Sequence, residues 1–208
     1  MKPKMGYACS TCAKTSCFRG DLDGMPKTCP TRTEPAIATD VTPYLDEGRA
    51  EVMRVADQTP FSEEGRMRNR VEELASFARA RGMRRVGIAF CVTLIKEAQE
   101  LARQLQVAGL ETELVCCRVG AIDYDEIGLP KAHPDHFAAI CNPVAQARLL
   151  NQRQVDLVAQ VGLCIGHDMI LQQESKAPVT TLVVKDRVFD HHAIRALRKQ
   201  PESARKRA

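Results

Sequence analysis

The amino-acid sequence predicts an α/β protein with a doubly wound, Rossmann-like parallel sheet of about four strands and helices on both faces. First, short apolar runs alternate with helical patterns through residues 83–200. Second, the clearest of these runs are continuously apolar, which is typical of strands buried on both faces. Third, consecutive strands are separated by helices, and such strands join through right-handed crossovers into a parallel sheet.

The individual elements follow from local patterns. Asn142 and Pro143 start one helix, since Asn is a good N-cap and Pro fits the first helical position. In chain order, strands are predicted over 85–91, 111–117, 155–162 and 179–185, and helices over 93–108, from 142, over 168–175 and over 192–199.

The residues before the sheet are predicted to be helical. One helix covers 39–56, and a second begins after Ser62 as N-cap and ends at Gly82. We therefore divide the chain into a four-cysteine segment (1–35), a helical linker packing on the body (36–82), an α/β domain (83–200) and a basic tail (201–208).

Composition excludes several classes of function. The net charge of +4 is mild and comes partly from the tail, whereas nucleic-acid binding needs a clustered basic face with stacking aromatics. No apolar stretch is long enough to span a membrane, and the N-terminus lacks the apolar region of a signal peptide. We expect a cytoplasmic protein, in which nine cysteines serve as metal ligands or reactive thiols rather than disulfides.

Four cysteines lie in the first 29 residues with the spacing C-x2-C-x4-C-x11-C. They are Cys9, Cys12, Cys17 and Cys29. Four thiolates in so short a stretch can surround one soft metal centre. Residues 1–35 cannot bury a core of their own, so metal binding would supply the free energy that folds them.

The spacing favours iron over zinc. Only Cys9 and Cys12 form a C-x2-C knuckle, a motif that structural zinc sites usually contain twice. Three close cysteines and a distant Cys29-Pro30 are nearer to iron–sulfur ligation, although the spacing matches neither common ferredoxin pattern. We expect a [4Fe–4S] cluster as cofactor, with zinc, or redox thiols without a metal, as the alternatives.

The other five cysteines all fall at predicted strand or helix ends. They are Cys91, Cys116, Cys117, Cys141 and Cys164. Ligands bind beyond the carboxyl ends of parallel strands, so Cys91, Cys117, Cys141 and Cys164 are predicted to form a second thiolate site, either a second cluster or a catalytic thiol set. Of the adjacent pair we favour Cys117, the one nearer the loop. The alternative is that these thiols are core filler.

Cys164, His167 and Asp168 are the predicted catalytic residues. His167 would act as ligand or proton donor, and Asp168 would orient it or handle protons. Gly162 and Gly166 would let the backbone approach a ligand closely. In the alternative interpretation Asp168 is an N-cap and His167 a surface residue.

Charged and polar residues also occur in the predicted loops. Lys185 and Arg187 end the last strand and either reach the site or face solvent. The remaining histidines are interpreted as solvated loop residues, although two of them are adjacent and could bind a metal adventitiously: His133, His136, His191 and His192.

These motifs together resemble a family of bacterial and archaeal predicted metal-binding proteins, a domain of unknown function. The resemblance covers nearly the whole chain, and it implies metal binding and no established reaction. It rests on the four N-terminal cysteines and on the segments 87–91, 115–120, 141–147, 161–168, 176–180 and 184–188.

The sequence therefore supports two hypotheses. The first is a metalloprotein with redox or sulfur-transfer chemistry at the second thiolate site, acting on a small-molecule substrate or redox partner. The second is a zinc-stapled binding module without catalysis. Neither involves nucleic acid or membrane, and no Gly-rich nucleotide motif follows any strand.

Overall fold

The computed structural model describes residues 6–198, and the chain divides into two compact units, Met1–Arg54 and Val55–Ala208. The predicted basic tail 201–208 and the end of the last predicted helix lie outside the described residues. Within residues 6–198, no helix is both long and apolar enough to cross a membrane.

The first unit consists of short turns and helices. Pro30 and Pro35 each begin a helix, because proline has no N–H to satisfy and its φ is already helical. The 3-10 turns cover Ala8–Ser10, Ser16–Arg19 and Thr42–Leu45, and the helices are α1 (Pro30–Thr33), α2 (Pro35–Ala38) and α3 (Glu47–Gln58), which continues into the second unit.

The predicted helix over 39–56 is interrupted, which the sequence pattern did not show. Asp46 has an extended backbone (ψ 126°) and its carboxylate accepts the Arg49 N–H at 3.0 Å. This local bond satisfies one of the amides left free at a helix start. The helix therefore begins at Glu47.

The second unit contains one sheet of four parallel strands with helices on both faces, which confirms the predicted fold class. The strand order is β2-β1-β3-β4. In chain order the elements are α4 (Arg70–Ala80), β1 (Arg85–Phe90), a 3-10 turn (Val92–Leu94), α5 (Ile95–Val107), β2 (Glu111–Cys116), a 3-10 turn (Tyr124–Ile127), α6 (Pro143–Gln152), β3 (Leu157–Val161), α7 (His167–Glu174), β4 (Val179–Val183) and α8 (Ile194–Arg198).

Helix α4 starts later than Ser62, its predicted N-cap. Asn69 caps it instead: its side chain accepts the N–H groups of Val71 and Glu72 at 3.0 Å, and the Glu72 carboxylate accepts the Asn69 N–H at 2.8 Å. A reciprocal capping box satisfies two amides at once. Ser62 lies in a preceding turn, where its N–H donates to the Arg66 carbonyl at 2.8 Å.

The sheet has an apolar core on each face. One core joins the strands to α4 and α5, and includes Leu74, Leu101 and Leu105. The other joins them to α6 and α7, and includes Leu150 and Leu171. Because both faces of β1 and β3 are covered, these central strands are almost continuously apolar, and Gln160 is the polar residue buried within β3.

Gly87 of β1 lets α6 pack closely on the sheet. A Cβ at this position would lie 2.9 Å from Leu150 Cδ2 and 3.2 Å from Val155 Cγ2. Both neighbours are in the core, so neither can move aside without disturbing other contacts.

We expect Gly87→Ala to lower the free energy of unfolding by about 1–3 kcal/mol, the usual cost of overpacking a core. Urea unfolding measures it. The matched control is Gly48→Ala in α3, where the nearest atom to the new Cβ is Asp46 Oδ1 at 3.4 Å. Equal stability of Gly87→Ala and wild type would contradict the close packing of α6.

The strand order creates a crevice at one edge of the sheet. The chain passes from β1 to β2 on one side, and then returns to place β3 on the other side of β1. At such a reversal the loops after the two central strands run in opposite directions and leave a crevice at their carboxyl ends, where α/β proteins bind ligands.

Candidate functional site

Four cysteines of the second unit lie in loops at the carboxyl ends of β1, β2 and β3 or just before α6. Cys91 comes directly after β1 and Cys117 directly after β2, and the Cys117 N–H donates to the Phe90 carbonyl at 2.8 Å. Cys164 lies between β3 and α7. Cys141 precedes α6, and its neighbour Asn142 donates its N–H to the Cys117 carbonyl at 2.7 Å. The structure thus brings these four cysteine-bearing segments to one edge.

Cys91 has the most polar environment of these thiols. Its Sγ lies 3.1 Å from Lys185 Nζ and 3.3 Å from Thr93 Oγ1, while Lys185 Nζ also donates to Thr93 Oγ1 at 2.7 Å. Burial raises the pKa of the Cys91 thiol, but hydrogen bonds from Thr93 and Lys185 and the Lys185 charge outweigh it and lower this pKa to about 7. About half of Cys91 is therefore thiolate at neutral pH, against a few per cent for an ordinary thiol.

The pKa of the neighbouring Cys117 thiol is shifted in the opposite direction, upward. Burial raises its pKa to about 12, only partly offset by the Val92 N–H, which donates to its Sγ at 3.3 Å. The charges of Cys141 and Cys91 raise that pKa further. Such coupling requires proximity, so Cys117 belongs to the same cluster and stays protonated.

Cys164 is paired with a second cation. Arg187 Nη2 donates to its Sγ at 3.2 Å. The pKa of Arg187 is raised by this hydrogen bond and charge, and also by the nearby charges of Cys91 and Cys141. Arg187 therefore contacts Cys164 and also interacts with Cys91 and Cys141 through their charges. We call the four thiols Cys91, Cys117, Cys141 and Cys164 the edge thiols.

Cys116 differs from Cys117 in its surroundings. It is half-buried, and its Sγ accepts the Arg118 N–H at 3.5 Å. Its side chain packs against both cores, whereas Cys117 is buried in the core that also holds Cys91. The choice of Cys117 over Cys116 as a site residue stays a prediction.

The other two predicted catalytic residues, His167 and Asp168, form hydrogen bonds with nearby backbone groups. The Asp168 carboxylate accepts the N–H groups of Gly166 and Met169 at 2.9 and 2.8 Å. Asp168 lies in the first turn of α7, whose N-cap is Gly166, so the alternative that made Asp168 the N-cap is wrong in position. His167 is the first residue of α7 and its N–H donates to the Cys164 carbonyl at 3.0 Å. These contacts anchor the Cys164 loop, and the catalytic roles of His167 and Asp168 stay predictions.

Gly162 is needed for a contact inside the protein. Its φ is +64°, and a Cβ there would lie 2.2 Å from Leu94 Cδ1. The close approach thus seats the turn before α5 on the end of β3. Gly166 has φ +90° with open space around it, so its role is the left-handed turn before α7.

Two buried glutamines near the edge were missed by the sequence interpretation. Gln146 of α6 donates Nε2 to the carbonyls of Val115 and Phe90 at 2.7 and 3.3 Å, bridging the ends of β2 and β1. Within residues 6–198, its Oε1 and that of Gln160 in β3 are buried without a hydrogen-bond partner. The sequence does contain a signal for Gln146, because a glutamine stands in the apolar stripe of α6 beside Ala147 and Leu150.

Thr93 was also missed. It follows Cys91 by two residues and bonds both the thiol and Lys185. A hydroxyl two residues beyond a strand-end cysteine, at the start of a helix, is a local signal that could have found it.

In the first unit, Cys9, Cys12, Cys17 and Cys29 border one cavity of about 200 Å³. The chain returns there because the Ala8 N–H donates to the Thr28 carbonyl at 3.1 Å, and because Thr15 adopts a left-handed conformation (φ 47°) before the Ser16–Arg19 turn. All nine cysteines are free of disulfides.

Neither cysteine set has the geometry of a loaded metal site. Across residues 6–198, no three His, Cys, Asp or Glu side chains are arranged to hold a metal ion. The four N-terminal cysteines nevertheless fit a soft metal by their chemistry, because all four donors bordering the cavity are sulfur. Two of the edge thiols, Cys91 and Cys164, instead contact the cations Lys185 and Arg187.

Comparison with known proteins finds a family whose description gives no reaction. The family model described as "Protein of unknown function (DUF1847)" matches residues 29–182, which include Cys29 and all the edge thiols but leave out the first three cysteines. An uncharacterized protein of Methanocaldococcus jannaschii is 36% identical over 189 residues, covering 91% of this chain and 92% of that protein.

Proposed function

This chain belongs to the protein family of unknown function DUF1847, and from the chemistry of its own residues we propose that it is a metal-binding thiol protein. The four N-terminal cysteines hold an iron–sulfur cluster, and the edge thiols carry redox or sulfur-transfer chemistry. A cytoplasmic location, where thiols are kept reduced, belongs to the same proposal.

The contact of Lys185 with Cys91 supports the reactive site. An ammonium group 3.1 Å from a thiol sulfur favours the thiolate, which is the nucleophilic form. Thr93 adds a second hydrogen bond to the same sulfur. A purely structural cysteine needs neither contact, since a buried thiol packs well as a small apolar group.

The thiolate of Cys91 attacks a sulfur atom of a disulfide or persulfide substrate. A new S–S bond forms to Cys91, the old S–S bond breaks, and the leaving thiolate takes a proton from solvent. With a persulfide substrate, the outer sulfur atom passes to Cys91, and the exchange needs no oxidant or reductant. Cys164, whose sulfur accepts a hydrogen bond from Arg187, is the thiol that would then resolve the bond. Cys117 is the poorer nucleophile of the two, because burial keeps it protonated.

The cluster would be held by the four N-terminal cysteines, Cys9, Cys12, Cys17 and Cys29. Bound there, an iron–sulfur cluster supplies one-electron transfer, and a zinc ion in the same four thiolates would supply only folding energy. The all-sulfur donor set suits both metals.

Metal analysis of anaerobically purified protein tests the proposal. We expect a brown protein with absorption at about 400 nm and matching amounts of iron and acid-labile sulfide. A colourless protein that carries one zinc ion would overturn the cluster and would favour the zinc-stapled binding module.

A further inference from the structure

A cavity of about 570 Å³ opens beside the edge thiols. It lies within the second unit, between the start of α5 and the loop after β4. The polar residues that line it are Thr93, Glu97, Lys185, Arg187, Asp190 and His191. This volume is within the range of small-molecule sites, and two of these residues directly contact the Cys91 sulfur.

Among residues 6–198, the two cations of this cavity have sulfur and hydroxyl groups as hydrogen-bond partners and no carboxylate. Lys185 bonds the Cys91 sulfur and the Thr93 hydroxyl, and Arg187 bonds the Cys164 sulfur. In the described part of the chain, neither forms an ion pair with Glu97 or Asp190, although both carboxylates line the same cavity. Sulfur is a weak hydrogen-bond acceptor, so an oxyanion would be a stronger partner for the guanidinium fork.

The loop that carries these cations is tightly ordered. The Asp186 carboxylate accepts the N–H groups of Val188 and Phe189, each at 2.9 Å. His191 closes the turn: its N–H donates to the Asp186 carbonyl at 2.8 Å, and its Nδ1 accepts the Asp186 N–H at 3.2 Å.

Asp190 and His191 are both left-handed, with φ of 49° and 62°. Two consecutive non-glycine residues in this conformation are strained, and such strain is retained only where surrounding bonds hold it. The turn therefore presents Lys185 and Arg187 in a fixed arrangement on one wall of the cavity.

We propose that this cavity binds a small oxyanion, with Arg187 and Lys185 as its charge partners and the start of α5 at its other wall. Resting on the proposed function, this assigns the substrate of the thiol chemistry to molecules that carry an oxyanion group. The anionic group lies in the cavity and the reacting sulfur faces Cys91.

Titration of ¹⁵N-labelled protein with sodium sulfate, against sodium chloride at equal ionic strength, tests the site. We expect saturable amide shifts confined to Thr93, Leu94 and residues 185–191. Arg187→Gln should weaken sulfate binding by about tenfold, the loss of one charged hydrogen-bond partner. Arg148→Gln, which removes an exposed arginine on α6, is the matched control and should bind like wild type. Shifts that never saturate, or that survive Arg187→Gln unchanged, would overturn the proposal.

A Cys91→Ser variant separates the two proposals. It should bind sulfate like wild type, because the cations stay, while losing all thiol chemistry at this position. If the wild type binds sulfate but its Cys91 is unreactive, the anion site is supported and the proposed thiol function is rejected. If Cys91 is reactive but sulfate binding does not saturate, the thiol function is supported and the anion site is rejected.

Discussion

Replacing Lys185 with methionine is expected to slow alkylation of Cys91 by about fivefold at pH 7, because the loss of the ammonium raises the thiol pKa by about one unit from its value of about 7. In the wild type the rate should rise with pH and reach half its maximum near the Cys91 pKa of about 7. In Lys185→Met this midpoint moves to higher pH, since burial still opposes the thiolate and one stabilising partner is gone. Methionine keeps the apolar stem that lies along the cavity wall.

The measurement is iodoacetamide modification followed by peptide mass spectrometry, so that Cys91 is read separately from the other cysteines. Lys176→Met is the matched control, because Lys176 lies before β4, at the opposite end of the strand from Lys185. A wild-type midpoint near 8.5, the range of an unperturbed thiol, would show that Lys185 does not activate Cys91. An unchanged midpoint in Lys185→Met would show the same.

The double substitution Cys9→Ser and Cys12→Ser is expected to remove all bound metal. Two thiolates cannot replace the four that a soft metal requires, and hydroxyls are poor ligands for iron or zinc. The readout is iron, sulfide and zinc content of anaerobically purified protein, compared with Cys116→Ser, whose sulfur accepts only a backbone N–H.

Retention of half the iron in the double variant would show a second cluster, and Cys91, Cys117, Cys141 and Cys164 would then be its ligands. Full metal content would show that the N-terminal cysteines bind none. Because metal binding and folding are coupled in short cysteine-rich segments, limited proteolysis should also cut the first 35 residues faster in the double variant.

The sequence predicted the sheet well because its signals are local. The continuous apolar run of β1 and the Asn142-Pro143 helix start needed no tertiary knowledge. The start of α4 was wrong because Ser62 is as good an N-cap in isolation as Asn69. The reciprocal bond from Glu72 decided between them.

The sequence placed Cys91 and Cys117 at strand ends and Cys141 before a helix, as the structure has them, but it did not show which groups surround each thiol. Lys185 comes 94 residues after Cys91, and only the pairing of β3 with β1 and β4 brings the ammonium to the sulfur. Arg187 reaches Cys164 for the same reason. A charged residue at the end of a strand can face either the solvent or the functional site. Which of the two it faces depends on the strands beside it, and the sequence does not show these.

By itself, the sequence determined an α/β sheet, a four-cysteine segment without a core, and a row of thiols at one sheet edge. These follow from periodicity, composition and strand ends, which are properties of short stretches of chain. The tertiary structure alone decided that Cys91 is the thiol beside a lysine, and that Lys185 and Arg187 line one cavity with Thr93. Each of these depends on distances between residues far apart in the chain, which the order of the strands fixes.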